Sequence, residues 1–492
     1  MPRDGSIVPL FGVANKGLSP VVTAQQRINL YVHAPDGDKE GIKLYPRPGL
    51  TNYGVGGSIV FGGPLLMRGL MDGEIVRATA LAGYETIGVG VCGRTFMTLQ
   101  PAYATVGNVG SVLTDTGPVR FARNPTQALA VDGRTGYIYT FDHPVSLTTL
   151  EGLAGAEWFP AGATTCCFLA GRFYANKPRT GQAWYSDLNT GLTGGASNFI
   201  TAESDPDNLQ AVASAHGELL LYGEYTTEFW APNAGSGDPV VRVGGSAIEW
   251  GLAAVGSLRK IDGGMMFLGR NRLGDVRVLR LSGYSAQPVS TPDIETQIQA
   301  IEDVGGGEAM AFTANGHSFY VLSFLEKTFV YDLTSGTWGE FQTGTSGGRW
   351  VGQYGSFVAG RFFVTNYRSN ALYLLDPEAY TDAGETIVRE VVTRHTFSDY
   401  DRTSVYRLGV DFETGVGLVS GQGSDPQAML QVSRDNGRTW GNEMWQGLGA
   451  LGSYVRRVWW TRLGRARDWL FRIRVSDPVK VVIAGGSLKV GP

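Results

Sequence analysis

The stretch NGHSFYVL at residues 315–322, followed by TFVYD at 328–332, decides the fold of this chain. A small-residue turn opens the first run of aromatic and aliphatic residues, and the second run ends on Tyr331 and Asp332. Runs of this composition form strands, and a polar turn between two of them makes an antiparallel hairpin. Because a lone hairpin is unstable in water, it must pack against further strands.

The same hairpin recurs along the chain. Five more copies lie at 132–142, 170–187, 216–230, 262–281 and 359–376. The spacing is irregular but roughly 40 to 50 residues, which is the repeat length of propeller blades. The sequence therefore predicts an all-β fold with a β-propeller of about six blades, each with a Gly-initiated inner strand. Two packed β-sandwiches have similar local patterns and are the alternative.

The patterns divide the chain into three parts. Residues 1–54 are rich in Pro and Gly around LYPRPGL at 44–50 and predict an extended N-terminal arm. Residues 55–384 hold the hairpins and predict the propeller. Longer alternating runs in residues 385–492 predict a C-terminal β-sandwich domain. Helical periodicity is confined to Pro292 to Val304.

Composition excludes several classes of protein. A net charge of −4 gives no general case for nucleic-acid binding. Three cysteines, Cys92, Cys166 and Cys167, are too few for a disulfide framework and suit a reducing cytoplasm. The sequence has neither a signal-peptide pattern nor an apolar stretch near the ~20 residues that span a membrane. We expect a protein made in the cytoplasm.

The motif SRDNGRTW at 433–440 fits the pattern S-x-D-x-G-x-T-W of the Asp-box, a hairpin turn of propellers and related all-β proteins. In such a turn the Asp carboxylate accepts hydrogen bonds from downstream amides and Gly supplies a positive φ. The predicted structural-turn residues are Ser433, Asp435, Gly437, Thr439 and Trp440. Sialidases use this turn as well, but it is structural there too, so no activity is expected to depend on it.

A sialidase-like activity requires an arginine cluster, a tyrosine nucleophile and an acid/base carboxylate. The stretch FRIR at 471–474 resembles the arginine-bearing strand of such enzymes only superficially, since it lies at the wrong end of the chain and lacks the following Pro. The chain also has one Asp-box, where these enzymes usually repeat it. No catalytic residue is predicted.

Three further patterns have structural explanations. GVGVCG at 88–93 matches G-x-G-x-x-G, but no helical pattern follows, which favours a strand and turn. ESDPDN at 203–208 could bind Ca²⁺ or supply an acid and a base, yet its composition is typical of a turn. The histidines are scattered: His33, His143, His216, His317 and His395. No metal or cofactor is predicted, and solvated side chains are expected for His216 and His317.

Arginines are concentrated near the C-terminus, where Asp468 is the one opposing acid and three tryptophans are interleaved. Arginines next to aromatic rings can follow a phosphate backbone, or they can form a basic interface for an acidic protein. The candidate interface or DNA-channel residues are Arg456, Arg457, Arg462, Arg465 and Arg467. Because the chain is acidic overall, we favour a protein interface.

Four places in the chain, taken in order, suggest a family. They are INLYV at 28–32 with LYPRPGL at 44–50, AESDPDNL at 202–209 with TEFW at 227–230, SRDNGRTW at 433–440, and VWWTRLGRAR at 458–467. With these motifs the chain resembles the tail hub (nozzle) proteins of short-tailed bacteriophages, also called packaged-DNA stabilisation proteins. The likeness spans residues 27–490. It transfers no catalytic or ligand residue.

The resemblance implies a non-enzymatic component of the virion tail, assembled in the host cytoplasm. Copies of such proteins form a ring, usually a hexamer, below the portal and its adaptor. The ring retains packaged DNA, makes transient contact with it and forms part of the ejection channel. A tailspike or tail fibre and a tail needle or plug attach to it. The alternative is a carbohydrate-binding or sialidase-like β-propeller of a cell-surface system.

Overall fold

The structure is a computed structural model. It describes residues 10–33, 42–53, 66–78, 84–103, 105–141, 144–235, 237–397 and 401–491. Within them, seven antiparallel blades follow one another along the chain, and two further sheets form a β-sandwich.

The first four blades are formed by consecutive strands. Blade 1 has Met67–Leu70, Ile75–Ala78, Tyr84–Cys92, Thr95–Gln100 and Thr105–Ser111. Blade 2 has Arg120–Arg123, Gln127–Val131, Gly136–Thr140 and Ser146–Thr149. Blade 3 has Cys166–Leu169, Arg172–Asn176, Gln182–Tyr185 and Phe199–Thr201. Blade 4 has Ala211–Ala215, Glu218–Tyr222, Thr227–Pro232 and Val240–Arg242.

The last three blades are less regular. Blade 5 has Gly251–Leu252, Arg259–Ile261, Gly264–Arg270, Val276–Ser282 and Ser285–Pro288. Blade 6 has Glu308–Ala314, His317–Ser323, Thr328–Asp332 and Thr337–Phe341. Blade 7 has Gly352–Val358, Arg361–Asn366, Leu372–Asp376 and, from the N-terminal part of the chain, Gly49–Asn52. The short strands Thr381–Asp382 and Glu385–Thr386 extend its outer edge.

Hydrophobic clusters fill the seven interfaces between neighbouring blades. The cluster that joins blade 7 to blade 1 contains Val358, Phe363 and Leu99, and it closes the ring. Closure leaves no blade face exposed, which is how a set of small sheets buries enough apolar area to be stable. The predicted all-β propeller is confirmed.

Two-residue turns explain the recurring small-residue signal. In blade 6, Asn315 and Gly316 have φ of 52° and 77°, the left-handed pair that a tight hairpin of this twist requires. The corresponding pair precedes the second strand in blades 3, 4 and 7, and in blade 5 it precedes Gly264–Arg270, with which both shorter strands of that blade pair. The Gly-initiated strand is thus the second strand of its blade, not the inner one as predicted, and the strand before the turn lies innermost.

The estimate of about six blades is one short, because the described residues contain seven. The uncounted blade is blade 1, whose strand Tyr84–Cys92 includes most of the Gly-rich stretch 88–93. Its Gly93-Arg94 turn differs from the left-handed pairs of blades 3 and 7, since only Gly93 has a positive φ, and its strands lack the Tyr and Asp endings that marked the other copies. The stretch 88–93 is a strand and turn with no helix after it, which agrees with the sequence interpretation.

The C-terminal β-sandwich packs two sheets around one large core. One sheet has the strand order Leu30–His33, Lys43–Pro46, Ile483–Gly491, Thr403–Phe412, Val458–Ala466. The other has the order Gln26–Ile28, Arg389–Val392, Asp468–Val475, Gln427–Ser433, Met444–Gly447, with Thr396–Phe397 beside Asp468–Val475. Alternating residues of both sheets face the core, as the period of two in the sequence predicted.

The described part of the N-terminal segment joins the propeller to the sandwich. Strand Gln26–Ile28 pairs with the outer strand of blade 6 on one side and with Arg389–Val392 on the other. Strand Gly49–Asn52 completes blade 7. The segment therefore forms strands in both units. The boundaries at residues 54 and 384 stay predictions.

A single α-helix, Pro292–Gln299, lies in the described residues, shorter than the predicted 292–304. Thr291 caps its first turn, and Ile294 and Ile298 pack into the interface between blades 5 and 6. Two 3₁₀ helices, Pro101–Tyr103 and Val255–Ser257, complete the regular structure.

Candidate interaction surface

All five candidate arginines are exposed and lie along one edge of the sandwich. Arg456 and Arg457 precede the edge strand Val458–Ala466, Arg462 and Arg465 lie on it, and Arg467 follows it. None forms an ion pair with an acidic side chain among the described residues. Their bonds go to backbone carbonyls: Arg456 Nε donates to Gly447 O at 3.2 Å, and Arg465 Nε donates to Arg402 O at 3.2 Å.

The edge strand is irregular at Arg462, which has a φ of 59°. Its pairing with Thr403–Phe412 shifts register there, between the pairs Val405–Gly464 and Arg407–Thr461. A bulge of this kind twists an edge strand and re-aims its side chains. The bulge therefore directs Arg462 outward instead of leaving a flat edge for pairing.

Arg456 and Arg457 also line an open groove of about 760 Å³ on the outer face of the same sheet. Gly409 pairs with Trp459 on one neighbouring strand and with Ser487 on the other. Because Gly409 has no side chain, the bottom of the groove is formed by backbone. Trp459 forms one wall and is 40% exposed. The guanidinium of Arg407 lies 5.3 Å from its ring centroid, as in a cation–π contact. The structure thus brings two of the five arginines together at one aromatic groove.

Exposed apolar side chains are concentrated on the same unit. Ten of the 24 large hydrophobic residues that the described chain exposes lie in the sandwich: Phe397, Tyr406, Leu418, Val419, Trp445, Leu451, Tyr454, Val455, Trp459 and Val490. Val455 directly precedes Arg456, so apolar and basic side chains alternate along this edge. Apolar patches rimmed by charge are typical of protein interaction surfaces.

Arg472 and Arg474 behave differently from the five exposed arginines. Both pair with Glu390, a buried carboxylate on the neighbouring strand, at 3.6 Å and 2.5 Å. Asp468, the one acid that the sequence placed among these arginines, is instead bonded to His395. Sequence proximity could not show this, because Glu390 is more than 80 positions away from its partners. Arg474 also lies 4.0 Å from Glu443, so two carboxylates balance the two arginines of the FRIR stretch within the sandwich.

The Asp-box motif forms the turn between strands Gln427–Ser433 and Met444–Gly447. Asp435 Oδ1 accepts from the amide of Thr439 at 2.9 Å and from Ser433 Oγ at 2.8 Å, and Oδ2 accepts from Thr439 Oγ1 at 2.6 Å. These hydrogen bonds lower the pKa of Asp435 to about 2, and the bond from the Thr439 hydroxyl contributes most. Gly437 has a φ of 84°, and Trp440 stacks under Arg472 at 3.9 Å.

The acidic stretch 203–208 is a connecting turn. Asp207 Oδ2 accepts from the amides of Tyr225 and Thr226 at 2.8 and 3.0 Å. The buried Glu228 accepts from the amide of Glu203 at 2.8 Å and from Trp230 Nε1 at 2.8 Å. Two motifs that are distant in sequence, 202–209 and 227–230, are thus parts of one hydrogen-bonded unit.

The expectation of a solvated His317 is wrong, whereas His216 is exposed in its turn as predicted. His317 is buried, and its ring bonds Asp332 Oδ2 at 2.8 Å and the ring of His33 at 2.9 Å. Asp332 ends the second strand of the same hairpin, 15 positions from His317, whereas His33 comes from the sandwich, 284 positions away. Residue 143 lies outside the described residues. Those residues include no group of three or more His, Cys, Asp or Glu side chains that could hold a metal ion.

Sequence patterns missed the buried network between the propeller and the sandwich. Arg47 is 1% exposed and forms a two-fold ion pair with Asp382, with N–O distances of 2.9 and 2.5 Å. Its Nε donates to Asn29 Oδ1 at 2.7 Å, and Asn29 Nδ2 donates to Val388 O at 2.7 Å. Both Asn29 and Arg47 belong to the motifs at 28–32 and 44–50. The pairing of Arg47 with Asp382 could not be predicted from a sequence motif, because the two residues are 335 positions apart.

Comparisons with known proteins agree with this architecture. The family model described as "Bacteriophage P22 Gp10, beta-propeller" matches residues 65–380, and "Bacteriophage P22 Gp10, beta-sandwich" matches residues 388–491. The chain belongs to the P22 Gp10 family. It is accordingly a structural tail hub and DNA-stabilisation protein of a short-tailed bacteriophage, a virion tail component that assembles with other virion proteins.

No curated protein matches this Gp10-family chain in sequence. Solved structures with partial similarity include streptogramin B lyase, at 10% identity and TM-score 0.39, covering 64% of this chain and 96% of that one. The computationally designed Ika8 protein is 11% identical with a TM-score of 0.40, and the match covers 66% of this chain and 99% of that one. The extracellular domain of a hybrid two-component system from B. thetaiotaomicron is 7% identical with a TM-score of 0.40, and the match covers 75% of this chain and 45% of that one. Similarity this low has no bearing on function.

No helix among the described residues is long and apolar enough to cross a membrane. Cys92, Cys166 and Cys167 are buried, and burial raises the pKa of each thiol, that of Cys92 to about 11. A buried thiol of high pKa is a poor nucleophile. These cysteines therefore serve as small core side chains.

Proposed function

We propose that copies of this protein form a ring, a hexamer, below the portal and its adaptor. The ring retains packaged DNA, forms part of the ejection channel, and anchors a tailspike or tail fibre and a tail needle or plug. Assembly takes place in the host cytoplasm. The observation that supports this proposal best is a row of five exposed arginines that have no acidic partner among the described residues, on a unit whose described part also exposes ten large apolar side chains.

The charge of this row favours contact with another molecule. An arginine without a carboxylate partner retains full capacity for bidentate bonds to carboxylates or phosphates. The chain has a net charge of −4, so five such arginines form a basic region on an otherwise acidic protein. A neighbouring copy or another acidic tail protein would complement them. We therefore assign Arg456, Arg457, Arg462, Arg465 and Arg467 to a subunit or partner interface in preference to a DNA-lined wall.

The route of DNA follows from the axis of the propeller. Arg120 of blade 2 and Glu308 of blade 6 form a two-fold ion pair, at 2.8 and 2.5 Å, between inner strands on opposite sides of the ring. The axis is therefore filled by protein side chains at this level. DNA would pass along an axis shared by several copies, and the propellers would surround that path.

Charge reversal tests the interface. We expect Arg462→Glu with Arg465→Glu to block ring or tail assembly, because like charges at an interface oppose association and buried unpaired charges are costly. Native electrophoresis and electron microscopy of particles provide the measurement. The matched control is Arg179→Glu with Arg242→Glu, since these propeller arginines are also exposed and unpaired among the described residues, and Arg179 also has a φ of 59°.

The same particles separate the two roles. Normal assembly with salt-dependent loss of packaged DNA would assign these arginines to the channel instead. Particles that assemble, retain DNA and infect normally with both the Arg462 and the Arg465 reversal would contradict both roles.

A further inference from the structure

The inner strands of the propeller enclose a cavity of about 320 Å³ on the axis. Its lining comes from six of the seven blades and includes the apolar side chains of Phe121, Phe168 and Met265. The Arg120–Glu308 ion pair lies at the start of the inner strands, and the cavity extends toward their ends, where Arg123 is located. The cavity is therefore a socket with a closed floor and cannot thread a polymer.

The cavity has an excess of positive charge. Its lining includes Arg120, Arg123, Arg259, Lys260 and one carboxylate, Asp72. Arg120 is neutralised by Glu308. Among the described residues, no ion pair is formed by Arg123, Arg259 or Lys260. Four basic groups against two carboxylates leave an excess of two positive charges.

Internal partners account for little of this excess. Arg259 donates one bond to the carbonyl of Leu258 at 2.8 Å, which leaves most of its N–H groups available. Asp72 is exposed and is the one carboxylate in the lining; desolvation raises its pKa and the nearby Arg259 opposes this shift. Tyr354, next to Arg120 and Arg259, is neutral at physiological pH because burial raises its pKa to about 12. A cavity with apolar walls strengthens the attraction of such cations for an anion.

We propose that the axial cavity binds a small phosphate-bearing dianion through Arg123, Arg259 and Lys260. Two unbalanced positive charges match a phosphate monoester or pyrophosphate. The closed floor and the volume exclude a nucleic-acid strand. The apolar walls at Phe121 and Phe168 leave room for an organic group attached to the phosphate.

Calorimetric titration of the purified full chain tests this assignment with pyrophosphate, adenosine monophosphate and adenosine. We expect at least one phosphate ligand to bind and adenosine to fail. Lys260→Gln and Arg259→Gln should each weaken binding by about tenfold or more, as expected for loss of a charged hydrogen bond. Arg242→Gln, an exposed arginine outside the cavity, is the control and should leave affinity unchanged.

The result identifies the ligand class as well. Tighter binding of adenosine monophosphate than of pyrophosphate would indicate a nucleotide, and the reverse would indicate an inorganic phosphate. Absence of binding at millimolar concentration, equal binding of adenosine, or unchanged affinity in both cavity variants would overturn the proposal. Lys260 is exposed, so Lys260→Gln gives a readout even if Arg259→Gln fails to fold.

Discussion

The propeller interior around Arg120 and Arg68 and the edge of the sandwich differ in how their arginines are partnered. In the propeller, Arg120 is inside the ring and pairs with Glu308, and buried Arg68 is satisfied by backbone carbonyls such as those of Gly93 and Gly117. In the sandwich, five arginines project from one edge without acidic partners among the described residues. Arg120 and Arg68 are satisfied within the ring of blades, whereas the arginines on the sandwich edge retain donors for another molecule. The difference supports the proposal that the edge of the sandwich is the contact surface.

The junction between the two regions should show the largest effect. Asp382→Ala leaves the buried Arg47 without its counter-charge, so we expect a loss of about 3–5 kcal/mol in the free energy of unfolding. Urea denaturation followed by fluorescence measures it. Glu151→Ala breaks the exposed pair with Arg134 and should cost under about 1 kcal/mol. Equal losses in the two variants would show that burial of the junction does not matter.

Closure of the ring by the N-terminal segment gives the next effect. Leu50 lies in the strand Gly49–Asn52 and packs in the core between blades 6 and 7. Leu50→Ala removes buried methyl groups and should cost about 2–5 kcal/mol. Val419→Ala, at a side chain 88% exposed on the sandwich, is the matched truncation and should change stability by less than about 0.5 kcal/mol. A tolerated Leu50→Ala would mean that blade 7 is stable without its outer strand.

The Asp-box turn gives a smaller, pH-dependent effect. Asp435→Asn should cost about 1 kcal/mol at neutral pH, since the exposed turn loses charge-assisted bonds that water partly replaces. Because the folded pKa lies below the unfolded value, the carboxylate stabilises above the ordinary pKa of 3.8, and this contribution disappears as pH falls through about 2. Urea midpoints of both proteins should therefore keep their gap from pH 7 to about pH 5 and converge as the pH falls from about 4 to 2. A constant gap would contradict a role for the charge.

The smallest effect on stability is expected at the arginine edge. Arg462→Glu with Arg465→Glu should change the unfolding free energy of the isolated chain by no more than about 0.5 kcal/mol, since neither side chain has an acidic partner to lose. Thermal melting of the monomer is the measurement. A large destabilisation would assign these arginines to the fold of the sandwich and would remove the contrast between the two regions.

Local patterns were sufficient to predict the hairpins and the Asp-box turn. Turn pairs such as Asn315-Gly316 and the carboxylate of Asp435 act within a few residues, so their geometry is present in the sequence itself. Blade 1 was missed because its strands lack the endings shared by the other blades. The five candidate arginines are exposed. The groove beside Arg456 and Arg457 could not be predicted from the sequence, because Gly409 and Ser487, which line it, come from other strands.

The sequence by itself determined the all-β class, the repeating hairpin and the family of the chain. Only the tertiary structure decided the number of blades, the use of Gly49–Asn52 to complete blade 7, and the partners of buried charges. Arg47 with Asp382, Arg120 with Glu308, and His33 with His317 are separated by 335, 188 and 284 positions. Such pairs form because burial makes an unpartnered polar group costly, and burial is set by packing of the whole chain.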